Sequence, residues 1–191
     1  MRRIFACSII VLAAGCAATR YTPVLQYSLT PVVQVRPAEK TDRELAVRPL
    51  DAARPYRANI VVFHKPNVIE SVDGKSWAEW PRDVVTRALY DAVTASGRFK
   101  DVGMAADLQL PDLMLTGEVR AFDLIAHEEP WIAVCEARLE VREVGTGKLR
   151  WAKTIRKQAP LAANDEAQLP YAMGEAVSQV VNEAAGEIAG L

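Results

Sequence analysis

From Trp131 to Val144 the chain alternates strictly. Trp131, Ala133, Cys135, Ala137, Leu139 and Val141 take one set of positions, and Glu136, Arg138, Glu140 and Arg142 take the other. Successive side chains of a strand point to opposite faces, so this pattern predicts a strand with a dry face and a wet face. Such a strand cannot stand alone. It needs neighbours on both edges and a layer over its apolar side. Leu113–Ile125 supplies one neighbour, with Leu113, Leu115, Val119, Ala121 and Ile125 at the alternate, inward positions. Gly145-Thr146-Gly147-Lys148 reads as a hairpin turn, and Leu149–Ile155 returns as the next strand with Leu149, Trp151 and Ile155 inward.

Shorter strands are expected at Gln26–Leu29, Glu44–Val47, Asn59–Phe63, Val68–Ser71 and Phe99–Val102, with Asp73-Gly74 as a turn. Two helices complete the covering layer. Ser76–Ser96 opens on Ser76 with Glu79 three residues on, a capping-box spacing, and Gly97 stops it. Asp165–Ala189 carries Leu169, Met173, Ala176, Val180 and Ala184 along one face. The expected fold class is α+β: an antiparallel sheet with two main helices packed on one face, preceded by a signal peptide and an extended, proline-rich tether.

The first residues are an address rather than fold. Arg2 and Arg3 precede an apolar run from Ile4 to Ala14 that is too short to span a membrane, which takes about 20 residues. Leu12-Ala13-Ala14-Gly15-Cys16 then resembles a lipobox. The expected division is a lipoprotein signal peptide over 1–15, lipidated Cys16 with an extended tether over 16–40, and an α+β domain over 41–191. Diacylglycerol and an N-acyl chain on Cys16 would anchor the protein, because each buried methylene contributes about 0.8 kcal/mol and one chain alone binds marginally. Ala17, where an aspartate favours inner-membrane retention in enteric bacteria, resembles an outer-membrane address. The tether Ala17–Lys40 could reach roughly 80 Å fully extended. The expected location is the periplasmic face of the outer membrane.

Composition narrows the remaining classes. Twenty-three basic and 24 acidic residues give a formal net charge of −1, so no global field draws nucleic acid. With Cys7 removed and Cys16 acylated, Cys135 stands alone as a buried thiol. His64 and His127 lack a second ligand at metal-binding spacing. Gly145-x-Gly147-Lys148 lacks phosphate-loop spacing, and Glu128 and Glu129 read as a solvated loop. No cofactor beyond the covalent lipid, no metal and no catalytic residue is expected. Trp77 and Trp80, three apart at the expected helix entrance, are the candidate partner-docking residues, since tryptophan is enriched at interface hot spots.

Tyr27-Ser28-Leu29, Leu45-x-Val47-x-Pro49, Pro55-Tyr56 before an Ile-Val strand, and Trp77-Ala78-Glu79-Trp80-Pro81 follow the lipobox in order. Together they resemble the auxiliary lipoprotein component of ABC-type transport systems, the PqiC-like lipoproteins. The Arg-Pro-Gln-Ile-Val phrase common there reads Arg57-Ala58-Asn59-Ile60-Val61 here. The resemblance implies a non-enzymatic part of a lipid-transport apparatus whose partners are an ABC permease and a periplasmic bridging protein of the mammalian-cell-entry (MCE) type. It also allows a homo-oligomer. The rival reading is a periplasmic lipoprotein that regulates or assembles another outer-membrane or cell-wall machine. A direct lipid carrier would need an apolar cavity that alternating strands with one apolar face do not provide.

Overall fold

Residues 23–191 are described by a computed structural model. The expected signal peptide, Cys16 and the start of the expected tether lie outside the described residues. The chain runs β1 (Leu25–Tyr27), β2 (Glu44–Val47), β3 (Asp51–Ala52), β4 (Asn59–Lys65), β5 (Val68–Trp77), α1 (Pro81–Ala95), β6 (Asp101–Met104), β7 (Leu113–Ile125), β8 (Ile132–Glu143), β9 (Leu149–Pro160) and α2 (Leu169–Ile188). A 3₁₀ turn at Glu166–Gln168 leads into α2. The class is α+β, with both helices on one face of a nine-stranded sheet that does not close.

The long strands set the frame. β8 lies antiparallel between β7 and β9, and Ala133, Cys135, Ala137, Leu139 and Val141 are wholly buried, as the alternation predicts. α2 packs over β8 and β9 with Leu169, Met173, Ala176, Val177, Val180 and Ala184 inward. Small residues on both surfaces let helix and sheet approach closely. On the solvent side of α2, Lys153 binds Glu183 and Glu187, and Lys157 binds Glu183. These exposed pairs contribute little individually.

The far edge of β7 departs from the antiparallel expectation. β2, β3 and β4 each pair with it in parallel, at Leu113–Leu115, Glu118–Val119 and Asp123–Ile125 in turn. From there the sheet forks into β2–β6 and β4–β5–β1. Alternation reports which face is buried, not strand direction. Parallel neighbours need a long crossover, and the stretch through α1 supplies it.

β7 also breaks its own alternation. Its register with β8 shifts between Val119 and Ala121, a bulge that leaves Arg120 exposed. Beyond the bulge, Phe122 and Leu124 face the core, in place of the expected Ile125. Earlier in the chain, Asp73-Gly74 is not a turn. It lies inside β5, where a register shift against β4 accommodates Gly74 at φ +70°.

Helix α1 begins at Pro81, four residues later than the capping-box spacing predicts. Sheet pairing claims the intervening chain: Ser76 pairs with Asn59, Trp77 with Tyr27, and the Trp77 amide donates to the Ala58 carbonyl. A proline at the first helical position then starts the helix without wasting a backbone donor. Thr86 joins α1 to the loop after β2, accepting from the Leu50 amide at 3.0 Å and donating to the Arg82 carbonyl at 2.6 Å.

Candidate docking surface

The two candidate tryptophans separate. Trp77, the last residue of β5, is 3% exposed and packs edge-on against Phe122 (ring centroids 5.3 Å apart) and Tyr27 (6.4 Å). It is core. Trp80 precedes α1 and is 42% exposed, with the Arg82 guanidinium 4.5 Å from its ring centroid. The shared helix face expected for the pair does not exist, because Trp77 ends a strand. Only Trp80 is available to a partner. Glu79, beside it, binds Arg87 at 2.7 Å.

The expected tether behaves differently from a leash. Extended it is, but from Leu25 onward it is part of the domain. β1 pairs in parallel with β5, Leu29 is buried, and residues 30–35 run along α2 as a strap. The Val32 amide donates to Ser178 Oγ and the Gln34 amide to Asn182 Oδ1, both at 2.8 Å, while Asn182 Nδ2 donates to the Val32 carbonyl at 3.0 Å. Further on, Ala38 and Thr41 amides bond the carbonyls of Ser96 and Arg98. An extended segment has no partners of its own for its backbone groups, and α2 supplies them. Ser178 and Asn182 are spaced i, i+4 on α2, in line with Gly174 and apart from the charged row Glu175, Glu183 and Glu187. That polar pair is the sequence signal by which the strap's seat could have been found.

Asn182 makes two of the three strap bonds to α2, so Asn182→Ala is expected to release residues 30–35. The loss is about 1–3 kcal/mol, from roughly 0.5–1.5 kcal/mol net per hydrogen bond. Hydrogen exchange should show faster exchange at the Val32 and Gln34 amides with the sheet unchanged. Unchanged protection would show that the strap is held without Asn182, by Ser178 and the contacts at its two ends.

A groove of about 740 Å³ opens where the strap meets α2, with Gln26, Val32, Tyr171 and Asn182 among its lining residues. At the same end of the molecule, Lys75 of β5 pairs with Glu166 ahead of α2. The other sequence candidates fall elsewhere. His127 Nδ1 lies 2.9 Å from the Phe63 carbonyl, and His64 stacks edge-on with Trp131. Among the described residues no group of three His, Cys, Asp or Glu side chains could hold a metal ion. Gly147, at φ +70°, closes the β8–β9 turn, its amide bonding the Glu143 carbonyl. Cys135 is free and buried, and burial pushes its thiol up to about 12.

One buried ionisable pair was not foreseen. Asp123, on the sheet face away from the helices, is covered by the loop carrying Tyr56, and its Oδ1 has no hydrogen-bond partner. Burial raises the Asp123 carboxyl above the ordinary range, against the lowering effects of Tyr56 and Arg156. Burial and the neighbouring carboxylate raise the Tyr56 phenol in turn. A carboxyl raised in the folded state favours the fold below its ordinary range, and this contribution is lost as pH rises through the raised value. Asp123→Asn should therefore flatten that part of the stability profile and leave stability at pH 7 equal or higher. Thermal unfolding of both proteins between pH 4 and 8 tests this. A variant clearly less stable at pH 7 would mean that the ionised carboxylate is held favourably.

Among the described residues no helix is long and apolar enough to cross a membrane. The family described as ABC-type transport auxiliary lipoprotein component matches residues 27–185. No curated protein matches. A crystal structure of a Xanthomonas campestris protein of family DUF330 aligns with TM-score 0.75 at 23% identity, covering 85% of this chain and 96% of that one. An uncharacterized protein gives 0.66 at 12% identity, with 85% and 99% covered. A hypothetical protein of Chlamydia trachomatis gives 0.56 at 10%, with 78% and 97% covered. These structures share the fold.

Proposed function

The chain belongs to the ABC-type transport auxiliary lipoprotein components, and from that premise we propose that it is a non-enzymatic docking subunit of an ABC/MCE-type envelope lipid-transport system. Lipid on Cys16 holds it at the periplasmic face of the outer membrane. Its partners are the ABC permease system and an MCE-type bridging protein. The family match across nearly all of the folded domain carries this reading. The groove beside the strap is open at the surface and does not enclose a ligand, which fits docking better than lipid carriage.

The test is affinity purification of the tagged, lipidated protein from its own cells, with mass spectrometry of what accompanies it. An ABC permease and an MCE-type protein are expected. Recovery of a secretion or wall-synthesis assembly in their place would overturn the transport role and favour the rival reading.

A further inference from the structure

Resting on the reading of Cys16 as the lipid attachment point, we propose that the end of the domain formed by β1 and the first turns of α1 and α2 lies against the bilayer surface, seating Leu25, Trp80 and Tyr171 among the lipid headgroups.

Three observations converge on this end. The first is the chain's exit. The described chain emerges here, at Pro23 and β1, and β1 is fixed by its pairing with β5. Seven Cα–Cα steps separate Pro23 from Cys16, about 25 Å at full extension. This end of the domain is therefore the one held close to the acyl chains.

The second is what this end exposes. Val24 is 52% exposed, Leu25 57%, Trp80 42% and Tyr171 77%. They come from three separate segments that the fold gathers. The Ala78 amide bonds the Tyr27 carbonyl, which brings the Trp80 turn beside β1. Lys75 pairs with Glu166, which brings the start of α2 to the end of β5. Tyr27 and Tyr171 line the same groove. Tryptophan and tyrosine have an apolar body and a polar tip, and they favour the membrane–water boundary.

The third is charge. Near this end Lys75 is paired with Glu166, Arg82 with Asp83, and Arg87 with Glu79. No surplus cation remains among these to seek anionic headgroups. The contact is apolar, and salt should leave it unchanged.

The experiment uses the full lipidated protein in vesicles of phosphatidylethanolamine and phosphatidylglycerol. A nitroxide is attached at Tyr171→Cys or, as a control, at Thr146→Cys in the β8–β9 turn. Thr146 belongs to the opposite end of the sheet: its hairpin flanks Leu113, whereas Trp77 packs on Phe122, nine residues along β7 and about 30 Å away. The buried Cys135 thiol does not compete for label. Collision with oxygen relative to a water-soluble nickel chelate reads the environment. The ratio at residue 171 is expected to exceed that at 146 several-fold, and to hold in 1 M salt. A ratio at 171 equal to that at 146, in protein that floats with the vesicles, overturns the proposed face and leaves the anchor standing. Protein that does not float overturns the anchor, and this face with it.

Discussion

Replacing residues 1–16 by a plain cleavable secretory signal, so that no cysteine remains to be acylated, is expected to move the protein from the membrane fraction to the soluble periplasm and to abolish its function. The size of the effect follows from the chemistry of the anchor. A single myristoyl-length chain binds a bilayer with a constant of about 10⁴ M⁻¹, and each further buried methylene adds about 0.8 kcal/mol. A diacylglycerol with an N-acyl chain on Cys16 would therefore hold the protein for practical purposes permanently. The side chains proposed at the membrane surface are too few to replace it. Fractionation of cells carrying each form measures the shift, and detergent sensitivity of the envelope measures function. A soluble form that fully supported envelope resistance would mean that tethering is dispensable.

The docked strap changes what the proposed anchor would do. An extended tether of residues 17–40 would let the domain range tens of ångströms from the membrane. With β1 in the sheet and residues 30–35 bound along α2, the free reach falls to about 25 Å. Anchored through Cys16 as proposed, the domain would be held close to its membrane, and a partner would have to come to it.

The legible parts of this fold are those where burial alone decides the outcome. β2 and β7 occupy the expected residues, and β8 keeps its dry face of Ala133, Cys135, Ala137, Leu139 and Val141. What stayed hidden depends on partners distant in sequence. Trp77 reads as a helix residue until its amide finds the Ala58 carbonyl and its neighbour pairs with Asn59. The capping-box signal at Ser76 is local and weak, and sheet pairing on both edges of β5 overrides it. The parallel pairs on β7 are equally invisible, since apolar periodicity is blind to strand direction. The same limit explains the candidate site: a pair of tryptophans reads identically whether one is core and one surface, or both are exposed.

Phe122→Ala is expected to destabilise the fold by about 3–5 kcal/mol, the usual range for deleting a buried aromatic ring. Phe122 is 1% exposed and meets the edge of the Trp77 ring, so the change empties the place where β7 supports the end of β5. Strict alternation along Leu113–Ile125 would put Phe122 on the outer face and make the same change nearly harmless. The bulge at Arg120 reverses that assignment. A one-residue slip of register moves every later side chain to the other face of a sheet, so a single unpaired residue decides which half of β7 is core. The neighbouring comparison sharpens the test. Leu124→Ala, at a fully buried position, should cost about 2–5 kcal/mol, and Ile125→Ala, at a half-buried one, distinctly less. Urea unfolding of the three variants measures the order. If Ile125→Ala proved the costliest, β7 would run without its bulge. Trp77 would then lose its ring partner, and the strap end of the domain its support.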